Sequence, residues 1–334
     1  MEVWTSLESY KPDATRPLVL ALGNFDGLHL GHQKILQNVI AGAGREKGRP
    51  AVLTFYDHPQ RVLHKSQDLR LLTSPEHRLL LFKEMGVEVC FLLRFTMELS
   101  KIDPEQFVQR YLVNQLGVRE VHLGYNAHYG NGRSGDCELM RALSKKFGFE
   151  FHETEPVTRG TEFVSSSLIR KKIFRGDLQS AEALLGRSFS IFGTVIRGKG
   201  RGRVLGFPTA NLRPHSEILP PAGVYPVQLR QNIFHLKRTG GGNQFMHESS
   251  EKSPWQEGIL NYGVRPTFAG THRDLIPEVF LFSFEGNLYG KTLEVVFHPR
   301  MREERAFNSS QELVSTVRKD IEAAQDYFRK KREG

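Results

Sequence analysis

Two histidines three residues apart, in Gly23-Asn24-Phe25-Asp26-Gly27-Leu28-His29-Leu30-Gly31-His32, are the first residues of this 334-residue chain whose types and spacing could do chemistry. They follow an apolar run, Leu18 to Leu22, and open a helical pattern reaching about Ile40. A strand feeding a helix leaves the first backbone N–H groups of that helix without partners, and these attract anions. Gly31 removes the side chain that would hold a phosphate away, and His29 and His32 share one side of the first turn. Two imidazoles there can donate to a triphosphate and stabilise charge as pyrophosphate leaves. Gly23, Asn24, Phe25 and Asp26 supply the turn beside it. Taken alone, an HxGH string is more often two histidines flanking a turn.

Val164-Ser165-Ser166-Ser167-Leu168-Ile169-Arg170 is a second anion-directed group. Hydroxyls at a helix start with Arg170 one turn in can clamp a phosphate, although serines in that place commonly do no more than cap the helix. A third begins at Gly198-Lys199-Gly200-Arg201-Gly202-Arg203 and runs to Gly206-Phe207-Pro208-Thr209-Ala210-Asn211-Leu212. It lacks the GxxxxGK[ST] of a Walker loop and opens no helix. Glycine-rich basic loops are often plain surface. Here, however, Thr209 and Asn211 put a hydroxyl and an amide carbonyl on one side of an extended chain. Both are hard oxygen donors suited to magnesium-nucleotide.

The elements that must position these groups fall into two sets. Strand-like runs at Leu18 to Leu22, Ala51 to Phe55, Val89 to Phe95 and Glu120 to Leu123 alternate with helical patterns, among them Glu76 to Met85 after Ser74-Pro75 and Glu105 to Leu116 after Asp103-Pro104. That alternation predicts a Rossmann-like α/β domain with a parallel sheet. Two short helices, Leu168 to Phe174 and Leu178 to Leu185, precede five strands without helices between them: Phe189 to Ile196, Val224 to Leu229, Gly258 to Tyr262, Glu278 to Phe284 and Leu293 to His298. These predict a small antiparallel β-barrel or sandwich. The boundary is expected near Gly186, giving domains 1–185 and 186–334. A capping box, Ser309 with Glu312, opens a final amphipathic helix carrying Leu313, Val317, Ile321, Ala324 and Phe328 on one face. Asn232 to Ser253 is polar and aperiodic and is read as a flexible hairpin excursion.

Composition narrows the classes. The formal charge of +9 fits anionic partners without choosing among them. The Arg329-Lys330-Lys331-Arg332 run ends a helix, where cations satisfy the last carbonyls, and the other cations are dispersed, so nucleic-acid binding is not expected. Nor is a membrane span, since no apolar run approaches about 18 residues. The two cysteines, Cys90 and Cys137, have no metal or disulfide spacing, and the acidic and polar residues of Met1 to Glu8 lead to the expectation of no secretory signal. A cytoplasmic protein is expected; its oligomeric state stays open.

The GNFDGxHxGH string resembles that of bacterial bifunctional riboflavin kinase/FAD synthetase, and the resemblance extends through Thr54-Phe55-Tyr56-Asp57-His58-Pro59 and the serine-rich segment ending in Arg170. A segment usually reading G-x-D-F-x-F-G stands here as Gly124-Tyr125-Asn126-Ala127-His128-Tyr129-Gly130, with Arg133 following. Gly-x-Pro-Thr-Ala-Asn-Leu after a glycine-rich loop resembles riboflavin kinase, as do Gly223-Val224-Tyr225, Arg265-Pro266-Thr267-Phe268 and Leu288-Tyr289-Gly290. The resemblance implies a kinase barrel making FMN from riboflavin and ATP, and an N-terminal adenylyltransferase making FAD from FMN and a second ATP. Magnesium accompanies the ATP, and the flavins are substrate and product rather than bound cofactors. The resemblance makes Glu278 the general base, places His58, Asn126 and Arg133 on the flavin side of the first site, and puts Arg302 beside the flavin of the second. A monofunctional riboflavin kinase, its first site silenced by Asn126 and Ala127, is the alternative. A class I aminoacyl-tRNA synthetase would explain HxGH but not Pro208 to Leu212.

Overall fold

The computed structural model describes residues 1–64, 69–198, 206–215, 218–231, 234–239, 244–249, 253–263 and 276–333, with His64 and the segments 234–239 and 244–249 described by backbone alone. Gly200 and Gly202 and the segment Arg265 to Phe268 lie outside the described residues, as do parts of the 232–253 excursion. The chain divides into two compact units, the first made of residues 1–70, 75–166 and 234–249 and the second of the remainder. The expected boundary near Gly186 differs from this division, because the helices Ser166–Phe174 and Leu178–Leu185 cluster almost wholly with the second unit.

The first unit is built on β1 (Glu2–Trp4), β2 (Leu18–Leu22), β3 (Arg49–Phe55), β4 (Val89–Leu93), β5 (Val118–Gly124) and β6 (Glu150–Thr154), all parallel, in the order β1-β4-β3-β2-β5-β6. Helix α1 (Leu30–Arg45) follows β2 and packs on β2, β3 and β5. All five residues of β2 are buried. Its Leu18, Leu20 and Leu22 enter one apolar cluster and its Val19 and Ala21 the other, which is what a sheet covered on both faces requires. The strand order reverses direction between β2 and β5. In a doubly wound sheet that reversal opens a crevice beyond the strands' carboxyl ends, where ligands bind. The loops that open there begin at Gly23 and Tyr125, so the fold alone places the HxGH turn at the crevice.

Several features of this unit differ from the sequence expectation. The strands Phe234–Thr239 and Gln244–Ser249 pair as the expected hairpin, but Gln244 to Met246 also pair antiparallel with β1. The excursion thus extends the first sheet, because β1 offers a row of backbone groups that a strand can satisfy. Beyond Phe107, the stretch expected as one α-helix turns as a π-helix over Val108–Gln115. The edge strand β6, whose sequence Glu-Phe-His-Glu-Thr is largely polar, was not expected at all.

The second unit is a closed six-stranded antiparallel barrel. In chain order its strands are Ser190–Ile196, Ala210–Pro214, Gly223–Gln231, Gln256–Tyr262, Glu278–Leu281 and Thr292–Phe297. Five were expected; the sixth, Ala210–Pro214, lies inside the stretch read only as a ligand-bearing loop. It pairs with the first strand on one side and with Glu278–Leu281 on the other, completing the closure. The C-terminal helix Ser310–Glu333 docks on the barrel through Ala324 and Phe328, both fully buried. Ser309 Oγ accepts from the Glu312 N–H, as its capping box implied, while the Glu312 carboxylate accepts from the N–H of Asn308, one residue ahead of the cap, instead of from that of Ser309.

Candidate active sites

After β2, three residues of the first turn adopt positive φ: Phe25 at 51°, Gly27 at 80° and Leu28 at 40°. Such angles are costly for side-chain-bearing residues. Burial of Phe25 and Leu28, at 1% and 2% exposure, offsets that cost and fixes the turn. Phe25 meets Phe82 and His32 edge-on, with ring centroids 5.6 and 5.2 Å away. His29 caps α1, its Nδ1 accepting from the His32 N–H at 3.4 Å. The rings of His29 and His32 stack 3.6 Å apart at 18°. Gly31 lies in the same first turn, which carries no acidic residue to offset the positive end of the helix. Ser166 Oγ donates to the Asp26 carbonyl at 2.8 Å, tying the serine-rich segment to the turn.

A residue that sequence reading missed organises this turn. Arg78, buried in the helix Pro75–Glu84, donates to the Asn24 carbonyl at 2.7 Å and to the Phe55 carbonyl at 2.8 Å. Longer contacts reach Thr54 Oγ1 and the Tyr56 carbonyl, both at 3.4 Å. One guanidinium thus joins the loop after β2 to the loop after β3. Burial lowers its pKa, while nearby Asp26 raises it. The available clue was a lone arginine before the apolar run Leu79 to Phe82, and no spacing rule reads that as a loop anchor.

His58 is half-buried, with its Nδ1 accepting from the Gln60 N–H at 3.3 Å at the start of the helix Pro59–His64. After β5, Asn126 is exposed, and the Ala127 N–H closes a turn onto the Gly124 carbonyl at 2.9 Å. The loop is held by the Tyr129 and Gly135 bridge, with Tyr129 buried in the core and Arg133 exposed at φ 62°. Tyr125, 43% exposed, stands 6.5 Å from the Phe163 ring and offers an aromatic surface beside Asn126. Ser165 is half-buried just ahead of its helix, and Arg170 donates to Ser167 Oγ at 3.2 Å.

In the barrel, strand pairing brings distant residues together. Asn211 lies opposite Glu278 on one side and Ile196 on the other, and Thr209 Oγ1 donates to Glu278 Oε2 at 3.3 Å. Three oxygen-bearing side chains are thus brought together, Asn211 and Glu278 from adjacent strands and Thr209 from the residue just ahead of the first of them. Asn211 is 6% exposed and lies on the backbone of Gly198, where a Cβ would collide with its amide. A glycine is needed at 198 for that close approach. Beside these groups is a cavity of about 220 Å³ with Thr209 and Pro208 on one wall and Phe284, Leu288 and Tyr289 on the other. It was not expected from sequence, since its walls come from separate turns. Arg302 donates to both carboxylate oxygens of Asp320, from Nε at 3.0 Å and Nη2 at 2.7 Å, and so joins the barrel to the C-terminal helix. That ion pair was not foreseen for a residue expected beside the flavin.

A parallel sheet with a helix N-terminus at its switch point, and a closed barrel in which Thr209, Asn211 and Glu278 lie together, fit the class of nucleotide-dependent transferases, and the similarity to known proteins shows that class. The pattern of the FAD synthetase family matches residues 11–168, and that of the riboflavin kinase family matches residues 185–328. The chain is 34% identical over 310 residues to the bifunctional riboflavin kinase/FMN adenylyltransferase of Haemophilus influenzae, covering 92% of this chain and 94% of that one. It is also 34% identical over 315 residues to the protein of the same name from Bacillus subtilis, covering 93% and 92%. The chain belongs to the bifunctional riboflavin kinase/FMN adenylyltransferase family. A crystal structure described as a macrolide-efflux protein from Streptococcus pneumoniae has a TM-score of 0.77 at 25% identity and covers 97% of this chain and 98% of its own. That description is of the other molecule; among the described residues no helix here is long and apolar enough to cross a membrane.

Proposed function

We propose that the barrel transfers the γ-phosphoryl group of ATP to riboflavin, and that the first unit transfers the AMP moiety of a second ATP to the resulting FMN, releasing pyrophosphate. The observation that carries this reading is the meeting of Thr209, Asn211 and Glu278 in one unit while the other keeps a helix N-terminus capped by stacked histidines. Matches to both families favour two activities over a kinase alone.

The two chemistries ask for different residues. In adenylyl transfer the FMN phosphate is already an anion, so it attacks the α-phosphorus without a protein base. Positioning and charge stabilisation are what remain, and His29, His32, the α1 N-terminus, the serine hydroxyls and Arg170 supply them. In the kinase the ribityl hydroxyl must lose its proton as it attacks the γ-phosphorus. Glu278 takes that proton, and its bond from Thr209 holds the carboxylate in place. The Thr209 hydroxyl and Asn211 amide are hard oxygen donors fit to hold magnesium with the nucleotide. Bound there, the ion would neutralise phosphate charge. Asn126, Arg133 and His58 are assigned to the flavin side of the first site, and Arg302 to that of the second.

Incubation with riboflavin, ATP and magnesium, with the flavins separated afterwards, tests the assignment. His29→Ala should accumulate FMN without FAD. Glu278→Ala should fail on riboflavin yet convert supplied FMN. If either variant stays folded and blocks both steps equally, the two-site assignment is wrong.

A further inference from the structure

The α1 face of the sheet carries a buried polar cluster that neither reaction uses. Glu120 and His122 lie two apart on β5 and so point to one face; His152 on β6 is the strand partner of His122. Glu120 Oε2 is 3.1 Å from His122 Nε2 and 3.6 Å from His152 Nε2, and the two rings stack at 4.7 Å. Glu120 and His122 side chains are 1% and 2% exposed, and that of His152 is 41% exposed. Helix α1 is shaped around the group, since a Cβ at Gly42 would stand 2.5 Å from Glu120 Oε2. Gly42 lies about 15 Å along α1 from His32, at a rise of about 1.5 Å per residue, so the cluster is separate from the adenylyl site.

As side chains alone the arrangement is badly satisfied. Glu120 Oε1 and His152 Nε2 are buried without a hydrogen-bond partner, a costly state for polar atoms. Among the described residues the one guanidinium or ammonium group against the carboxylate is that of Arg45, at 3.5 Å, and its side chain is 58% exposed and able to turn to water. Two imidazoles and one carboxylate are the ligand set of open zinc sites. With bonds of about 2.0 to 2.1 Å, tetrahedral ligands sit about 3.3 Å apart. The 3.1 and 3.6 Å separations bracket that value, and all three ligand atoms fall within 4.8 Å of one another.

We propose that Glu120, His122 and His152 bind a divalent transition-metal ion of the zinc class, clamping the edge strand β6 to β5 beneath the end of α1. Glu150, whose Oε2 is 3.5 Å from His152 Nε2 and whose side chain is half exposed, is placed to supply a fourth ligand in exchange for water.

Titration of the metal-stripped, untagged full chain with cobalt(II) tests this. One equivalent should bind with the visible absorption of a four-coordinate site and be displaced by zinc. Zinc should also raise the thermal unfolding midpoint of the wild type. His152→Ala, at a half-exposed position that can lose its side chain without unfolding the sheet, should weaken binding at least about tenfold and abolish the midpoint shift. Absence of one-equivalent binding at micromolar metal, or unchanged binding in folded His152→Ala, would overturn the proposal.

Discussion

Replacing Arg78 with methionine keeps an unbranched side chain of similar length but removes every donor. Two charge-assisted bonds, at 2.7 and 2.8 Å, hold the carbonyls of Asn24 and Phe55. Each such bond contributes about 1.5 to 3 kcal/mol, a gross loss of about 3 to 6 kcal/mol. The variant no longer buries a guanidinium, whose desolvation costs several kcal/mol even when paired. The net loss of stability should therefore be only about 1 to 3 kcal/mol, small enough to leave the protein folded. Activity should fall further than stability, because the two loops lose their common anchor and a displacement of about 1 Å can cost roughly a hundredfold. The assay is conversion of supplied FMN to FAD under saturating ATP, beside riboflavin phosphorylation and the unfolding midpoint. Adenylylation should drop about a hundredfold while phosphorylation stays near wild type. If Arg78→Met makes FAD within twofold of wild type at an unchanged midpoint, the guanidinium does not organise the loops and the reasoning fails.

Gly198→Ala puts a methyl group against the Asn211 amide, so riboflavin phosphorylation should fall at least about tenfold with FMN adenylylation retained; equal rates in the variant would show that Asn211 can move aside. Asp320→Asn weakens the partly exposed Arg302 pair and should lower barrel stability by about 1 to 2 kcal/mol in urea, whereas no change would mean the helix is anchored by Ala324 and Phe328 alone. His298, 3% exposed, is pushed down to about 4 by burial and by Lys331. An unfolded histidine titrates near 6.5 and binds more protons than the folded one between these values, so its contribution is complete above about pH 6.5 and is lost as pH falls toward 4. At about 1.4 kcal/mol per pKa unit this is on the order of 3 kcal/mol, and His298→Gln should unfold with a shallower acid dependence across that window; an identical slope would refute the assignment.

The parts of both sites legible in sequence were those encoded by local spacing. HxGH after an apolar run reads as a helix N-terminus because strand, turn and cap are consecutive, and the stacked histidines follow from their three-residue offset. Glu278 gained its role from resemblance, since nothing local marks one glutamate at a strand start. What escaped depends on partners distant in the chain. Ala210–Pro214 is a strand because two neighbours satisfy its backbone, and a segment bracketed by prolines gives little sign of that. Arg78 reaches carbonyls more than twenty residues away, and the polar β6 is held at the sheet edge by β5 rather than by its own propensity.

The barrel closes through its first and last strands, Ser190–Ile196 lying directly against Thr292–Phe297. Pairing of such high contact order is slow, because the intervening loop must be closed before any bond rewards it. During synthesis, then, a ribosome would present a nucleotide cradle already able to form while the barrel still lacked its closing strand. The kinase half should be the last part of the chain to mature, and truncation within the final forty residues should silence it while sparing the parallel sheet.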